Sequence, residues 1–181
     1  MSDNKIKLVL MSCCAPCSVG GIQQIARGDF PQISDFIVMF YNPNIFPESE
    51  YIKRLDEQIK YCGAHSIKYV MGDYNHEKWL TCVSGLENEP ERGGRCAQCF
   101  KHRFKFAQIW ARENGYNGIV SVFGVSKHKD QSQVDTCAAD TLSDIKYLPL
   151  KFDENLRQEI GKKSDFYRQN YCGCEFSFRK V

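Results

Sequence analysis

The run Ile6-Lys7-Leu8-Val9-Leu10-Met11 is apolar at every position but Lys7, and it leads directly into Ser12-Cys13-Cys14-Ala15-Pro16-Cys17. An unbroken apolar run of this length is the pattern of a strand buried on both faces, which belongs inside a parallel sheet. Pro16 suits a first helical turn, and Val19, Ile22, Ile25 and Ala26 then recur at helical spacing before Gly28. Cys13, Cys14 and Cys17 therefore occupy a strand-to-helix turn. Ligands collect at the carboxyl ends of strands in open α/β sheets, and a helix N-terminus favours thiolate over thiol.

Outward from this unit the same alternation continues. Strand patterns fall at 36–41, 67–71, 119–125 and 145–150, and helical patterns at 48–61, 76–83, 131–142 and 154–163. A clear amphipathic helix starts at Phe100, with Phe100, Phe104, Ala107 and Ala111 on one stripe and Lys101, Lys105, Gln108 and Arg112 on the other. The polar segment 85–94, with Pro90, Gly93 and Gly94, reads as an irregular loop. These elements predict a three-layer α/β domain with a five-stranded, mostly parallel sheet and the first strand central. No linker or repeat divides the chain, so residues 1–181 form one domain. Residues 153–181 are expected to be a C-terminal extension that folds back over the strand ends if Cys172 and Cys174 join the earlier cysteines in a metal site.

With 181 residues and 43% hydrophobic composition, the chain buries a core without disulfide staples. No apolar run approaches the roughly 20 residues of a membrane helix. Met1-Ser2-Asp3-Asn4-Lys5 leads straight into a strand and not into a signal peptide. A cytosolic protein is expected, and in a reducing compartment its ten cysteines are ligands, redox groups or buried thiols.

Seven of them fall in three clusters: Cys13, Cys14 and Cys17; Cys96 and Cys99; Cys172 and Cys174. Close pairs let one turn of backbone present two sulfurs to one metal. Zinc and iron–sulfur clusters each take four ligands, so either leaves thiols for a second role, and spacing does not choose between them. Cys62, Cys82 and Cys137 lie singly in helical patterns and are assigned to the core. His65 and His76 are assigned to the surface, His102 to the basic face of its helix, and His128 to a strand end.

Between Arg92 and Arg112 stand six Lys or Arg and no Asp or Glu, in a chain of net charge +2. Lys127, Lys129, Arg168 and Arg179 come from segments predicted to converge on the same region, forming a basic rim suited to phosphate contacts. No Gly-x-Gly-x-x-Gly or P-loop lysine is present, and thiols take the place of a phosphate-binding turn after the first strand.

Five stretches together are specific: 12–17 (Ser-Cys-Cys-Ala-Pro-Cys), 41–45 (Tyr-Asn-Pro-Asn-Ile), 89–100 (Glu-Pro-Glu-Arg-Gly-Gly-Arg-Cys-Ala-Gln-Cys-Phe), 124–126 (Gly-Val-Ser) and 167–174 (Tyr-Arg-Gln-Asn-Tyr-Cys-Gly-Cys). In their order and spacing the chain resembles the epoxyqueuosine reductase family QueH from about Lys7 to Ser177. The resemblance implies a Rossmann-like fold of the adenine-nucleotide-hydrolase type and a [4Fe–4S] cluster with an adjacent mononuclear iron. It also implies cobalamin-independent reductive removal of the epoxide oxygen of epoxyqueuosine in a tRNA anticodon stem-loop, with an external electron donor. Two features depart from the family pattern: Phe46 stands in place of histidine, and 152–156 in place of a basic, glycine-rich patch.

The seven clustered cysteines are the expected metal ligands, the cluster being assigned to Cys96 and Cys99 plus one from each of the other groups. Tyr41, His128, Lys129 and Tyr167 are the candidate proton donors. Asn42, Asn44, Arg95 and Ser126 in the matching stretches, with Lys101, Lys105, Arg112, Lys127 and Arg168 on the basic rim, are the expected substrate contacts. A zinc-stabilised RNA-binding module without catalysis is the competing reading, an iron–sulfur enzyme acting on another modified nucleoside a second. A redox-sensing regulator is disfavoured because no separate helix-turn-helix or output domain is apparent.

Overall fold

The computed structural model describes residues 5–178. Five strands, β1 (Ile6–Ser12), β2 (Ile33–Phe40), β3 (Tyr69–Met71), β4 (Gly118–Ser121) and β5 (Lys146–Tyr147), form one sheet in the order β3-β2-β1-β4-β5. Every pairing is parallel. The central place of β1 follows from its composition: Leu8 to Met11 are at most 1% exposed, a burial that an edge strand would not provide.

The helices are α1 (Ala15–Ala26), α2 (Glu48–Ala64), α3 (His76–Cys82), α4 (Gly94–Glu113), α5 (Gln131–Thr141), α6 (Glu154–Lys162) and the short α7 (Glu175–Phe178). Helix α1 packs on α2 and α6, and α4 on α3 and α5. Because the connections reverse direction between β1 and β4, a crevice opens at the carboxyl ends of these two strands.

Three boundaries differ from the sequence pattern for identifiable reasons. Helix α4 begins at Gly94, so Cys96 and Cys99 sit in its first turns and not in a loop. The Glu89 carboxylate accepts the Gly94 N–H at 3.0 Å, supplying the acceptor that the glycine pair lacks. Strand β4 stops at Ser121 and the apolar residues Phe123–Val125 form a 3-10 turn. Strand β5 is two residues long, since it meets only Gly118 and Ile119 and is followed closely by Pro149, which has no N–H to offer.

The tail returns over the strand ends, as expected. Ile45 and Cys174 form an antiparallel bridge, Phe46 N donates to Gly173 O at 2.8 Å, and Tyr171 hydroxyl donates to Phe46 O at 2.6 Å. Gly173 has φ +104°, and a Cβ there would lie 2.9 Å from Ile45 Cγ1, so glycine is required twice over. Arg54, 1% exposed and paired with Glu50 at 2.7 Å, donates to the carbonyls of Cys172 and Tyr171. Among the described residues no helix is long and apolar enough to cross a membrane.

Candidate metal centre and substrate cavities

At the turn from β1 into α1, the sulfurs of Cys13, Cys14 and Cys17 all lie within 4.8 Å of one another. The turn is pinned from α2: Ser12 Oγ accepts the Cys14 N–H at 3.3 Å, and the Ser12 and Ser18 hydroxyls donate to Gln58 Oε1 at 2.7 and 3.0 Å. A tetrahedral ion with metal–sulfur bonds of about 2.3 Å separates its sulfurs by about 3.8 Å. The trio is therefore spaced for one ion. Hydrogen bonds from Cys14 and Cys17, aided by Lys129 and Arg103, hold the Cys13 thiol well below its usual range. The same contacts push Cys14 up and Cys17 up to about 12, because the first thiolate opposes the next.

The other four thiols, Cys96, Cys99, Cys172 and Cys174, line an enclosed space. Its walls carry buried polar atoms that no oxygen or nitrogen meets: Asn44 Oδ1, Trp79 Nε1, Arg95 Nε and Nη2, Arg103 Nη1 and His128 Nε2, of which the Trp79 and Arg103 groups face the Cys99 sulfur. Each unmatched buried group costs about 1–3 kcal/mol. The four N–H groups of Trp79, Arg95 and Arg103 among them call for a guest that supplies acceptors and negative charge, and the sulfides and thiolates of an iron–sulfur cluster fit that requirement. Charge leads to the same requirement. Arg95 and Arg103 are 1% and 0% exposed, and neither pairs with a carboxylate among the described residues. Buried cations need anions. Cys172 is lowered to about 5, chiefly by a hydrogen bond from Cys174, whereas burial pushes Cys99 up to about 11. Burial opposes the Lys129 ammonium, yet the charges of Cys13 and Cys172 outweigh it, and its Nζ lies 3.9 Å from Cys13 Sγ.

Beside Cys17 a cavity of about 520 Å³ opens to solvent, lined by Ser126, Lys127, His128, Lys162, Arg168 and Gln169 among others. His128 borders both this cavity and the thiol-lined space. Of the four residues expected to donate protons, His128 and Lys129 stand at these cavities. Tyr41 does not: its hydroxyl meets His102 Nε2 at 2.9 Å and its ring stacks on Phe106 at 3.8 Å. Tyr167 lies outside too, donating to Glu50 Oε2 at 2.8 Å with Lys53 over its ring.

The expected substrate contacts divide likewise. Ser126, Lys127 and Arg168 line the open cavity and Asn44 the thiol-lined one. Asn42 is 1% exposed, donating to Ser12 O at 2.9 Å and accepting from Arg103. Arg95 gives Nη1 to the carbonyls of Glu87 and Glu89, clamping the loop before α4. Lys101 and Arg112 pair with Asp140 and Asp144 at 2.9 and 3.4 Å, and exposed Lys105 stands near Cys82. Within the basic run Arg95 and Arg103 are therefore buried, Lys101 and Arg112 are exposed but paired, and Lys105 is exposed; Arg179 lies outside the described residues.

Of the remaining assignments, Cys62 and Cys137 are core residues at 0% and 3% exposure, while Cys82 is partly exposed. His76 is not a surface residue: it is covered by the tail, meeting Pro43 O and Glu175 Oε2 at 2.7 Å each and stacking on Phe46. Two functional candidates escaped the sequence reading. Trp79 gave no signal beyond its size, whereas Gln169, whose amide meets Cys14 Sγ at 2.8 Å, sat within the matched stretch 167–174.

Residues 8–180 match the family model described as epoxyqueuosine reductase QueH. Relatives of that name include one from Acinetobacter baylyi, 39% identical over 99% of this chain and 84% of its own length. Another from Haemophilus influenzae is 37% identical over 99% and 74%, and one from Thermotoga maritima 30% identical over 91% and 86%. Among solved structures the fold resembles the U34-tRNA thiolase NcsA from Methanococcus maripaludis, solved with its [4Fe-4S] cluster. The TM-score is 0.60 at 16% identity, over 92% of this chain and 59% of that one, a likeness of fold. With a family match over nearly the whole sequence and relatives of one name at up to 40% identity, the chain belongs to the epoxyqueuosine reductase QueH family.

Proposed function

We propose that this chain removes the epoxide oxygen of epoxyqueuosine in tRNA to give queuosine, using iron held by its thiols and no cobalamin. The buried N–H groups of Trp79, Arg95 and Arg103 around Cys96, Cys99, Cys172 and Cys174 carry this reading. They support a [4Fe–4S] cluster on those four thiols, a different division from one thiol of each terminal group. The tighter trio of Cys13, Cys14 and Cys17 supports a single additional iron, which those three thiolates would hold and which would supply Lewis-acid chemistry beside the open cavity.

The reaction breaks both C–O bonds of the epoxide, consumes two electrons and two protons, and yields an alkene and water. When bound, the metal centres supply electrons one at a time from an external reductant. The chain supplies position and protons. Ser126 Oγ accepts the His128 backbone N–H at 3.3 Å and fixes the loop that sets the imidazole between the two cavities. His128, with Glu91 Oε2 3.7 Å from Nδ1, delivers a proton toward the substrate oxygen. Lys129 keeps positive charge between the two groups of thiols as electrons arrive. Lys127, Lys162 and Arg168 at the mouth of the open cavity hold tRNA phosphates.

The test is anaerobic incubation with a strong reductant and epoxyqueuosine-containing tRNA, followed by nucleoside mass analysis. Loss of one oxygen mass is expected. An intact epoxide with fully metallated protein contradicts the proposal.

A further inference from the structure

A second cavity, of about 430 Å³, lies beyond the carboxyl ends of β4 and β5, between α1 and α6. It shares Cys17, Val125 and Arg157 with the open cavity, so the two meet beside the thiol trio. Its polar wall is built from residues with no part in the metal site. The Tyr147 hydroxyl and the Gln131 side-chain amide both donate to Asp135 Oδ1, each at 2.6 Å. Oδ2 takes neither bond, and Asp135 makes no ion pair with any described residue.

A carboxylate offers about four lone-pair positions. Two are used to hold Asp135 still, which leaves Oδ2 as a fixed acceptor. Gln131 reaches this position because residue 124 is glycine: a Cβ there would lie 2.0 Å from Gln131 Oε1. The rest of the lining combines the apolar Val120, Leu150 and Phe152 with Lys151, Asp153, Glu154 and Arg157, the last two paired with each other. Phe152 rests on α1 where Gly21 leaves room, a Cβ at that glycine standing 3.1 Å from the ring. A slot that joins apolar surface to fixed polar groups is the form of a small-molecule site. Acceptors without a charged partner select a flat ring that presents adjacent N–H donors.

We propose that this cavity reads the guanine-type edge of the target base, with Asp135 Oδ2 accepting from its N1–H and exocyclic amine. The assignment rests on the proposed substrate, since epoxyqueuosine carries its epoxide-bearing arm on a 7-deazaguanine that keeps this edge. Extrusion of the base from the anticodon loop brings it here, as for other enzymes that act on bases. The arm then extends past Cys17 toward the thiol trio. An adenine-type edge presents an acceptor where the guanine type presents N1–H, and meets repulsion at Oδ2.

The test compares binding of anaerobically purified protein to two anticodon stem-loops that differ only in guanosine or adenosine at the wobble position. Wild type is expected to prefer guanosine by about tenfold or more. Asp135→Asn is expected to abolish the preference without weakening the adenosine stem-loop. Tyr147→Phe, which frees one of the two donors holding the carboxylate, is expected to reduce it. Equal binding of both stem-loops by wild type overturns the proposal, as does a preference that survives in Asp135→Asn with unchanged thermal unfolding. Should Asp135→Asn fail to fold, an undiminished preference in Tyr147→Phe overturns it. Guanosine preference without deoxygenation would refute the proposed reaction and leave this site standing; deoxygenation without the preference would do the reverse.

Discussion

Gln169 donates its side-chain amide to the sulfur of Cys14 across 2.8 Å, tying the C-terminal tail to the turn after β1. The tail is therefore part of the proposed site, bringing Cys172 and Cys174 over the strand ends and touching the first thiol group directly. Whatever loosens the tail is expected to dismantle the proposed metal centre.

Arg54 is the residue to remove for that purpose. Its buried pair with Glu50 and its bonds to the carbonyls of Cys172 and Tyr171 join α2 to the tail. Arg54→Met leaves the buried Glu50 without its cation, held only by the Tyr167 hydroxyl, and is expected to cost about 3 kcal/mol. Thermal unfolding should fall and bound iron should drop together. Unchanged iron content would show that the tail is held by other contacts.

Phosphate binding should follow the cavity mouth and not the α4 stripe. Replacing Lys127, Lys162 and Arg168 together by alanine is expected to weaken tRNA binding and to lower the slope of log affinity against log salt by about 2–3. The double change Lys101→Ala and Arg112→Ala should leave the slope near that of wild type, because these cations already face Asp140 and Asp144. The opposite ranking in a salt titration would place the RNA on α4.

The thiols should titrate in two sets in reduced, metal-free protein. Cys172 at about 5 and Cys13, also lowered, are thiolates at neutral pH. Cys14, Cys17, Cys96, Cys99 and Cys174 are raised and stay protonated there. Thiolate absorbance should report about two ionised groups at pH 7. The Cys172 share should disappear as pH falls through about 5. Absorbance that first appears above pH 8 would contradict the hydrogen bonding described for both groups.

The central strand, the thiol-bearing turn and the returning tail were legible in sequence because each rests on local signals: an unbroken apolar run, Pro16 after it, and paired cysteines. The α4 start was not, since Gly93 and Gly94 read as breakers and the compensating acceptor is the side chain of Glu89. The placement of charge was hidden for a related reason. Composition counts Arg95, Arg103, Lys101 and Arg112 as one basic face, but two are buried and two are paired, which depends on where α5 and the thiols lie. The Asp135 wall left no trace in the linear pattern, because β5 brings Tyr147 to it from 12 residues away.

The central claim is that seven thiols form two iron centres, and Mössbauer spectroscopy of protein reconstituted with iron-57 and sulfide tests it most directly. Wild type is expected to bind about five irons and four sulfides per chain. Cys14→Ser should lose the single iron and keep the cluster, whereas Cys99→Ser should lose the cluster. Zinc without sulfide in anaerobically purified protein, or loss of the cluster in Cys14→Ser with the single iron retained, would contradict the account.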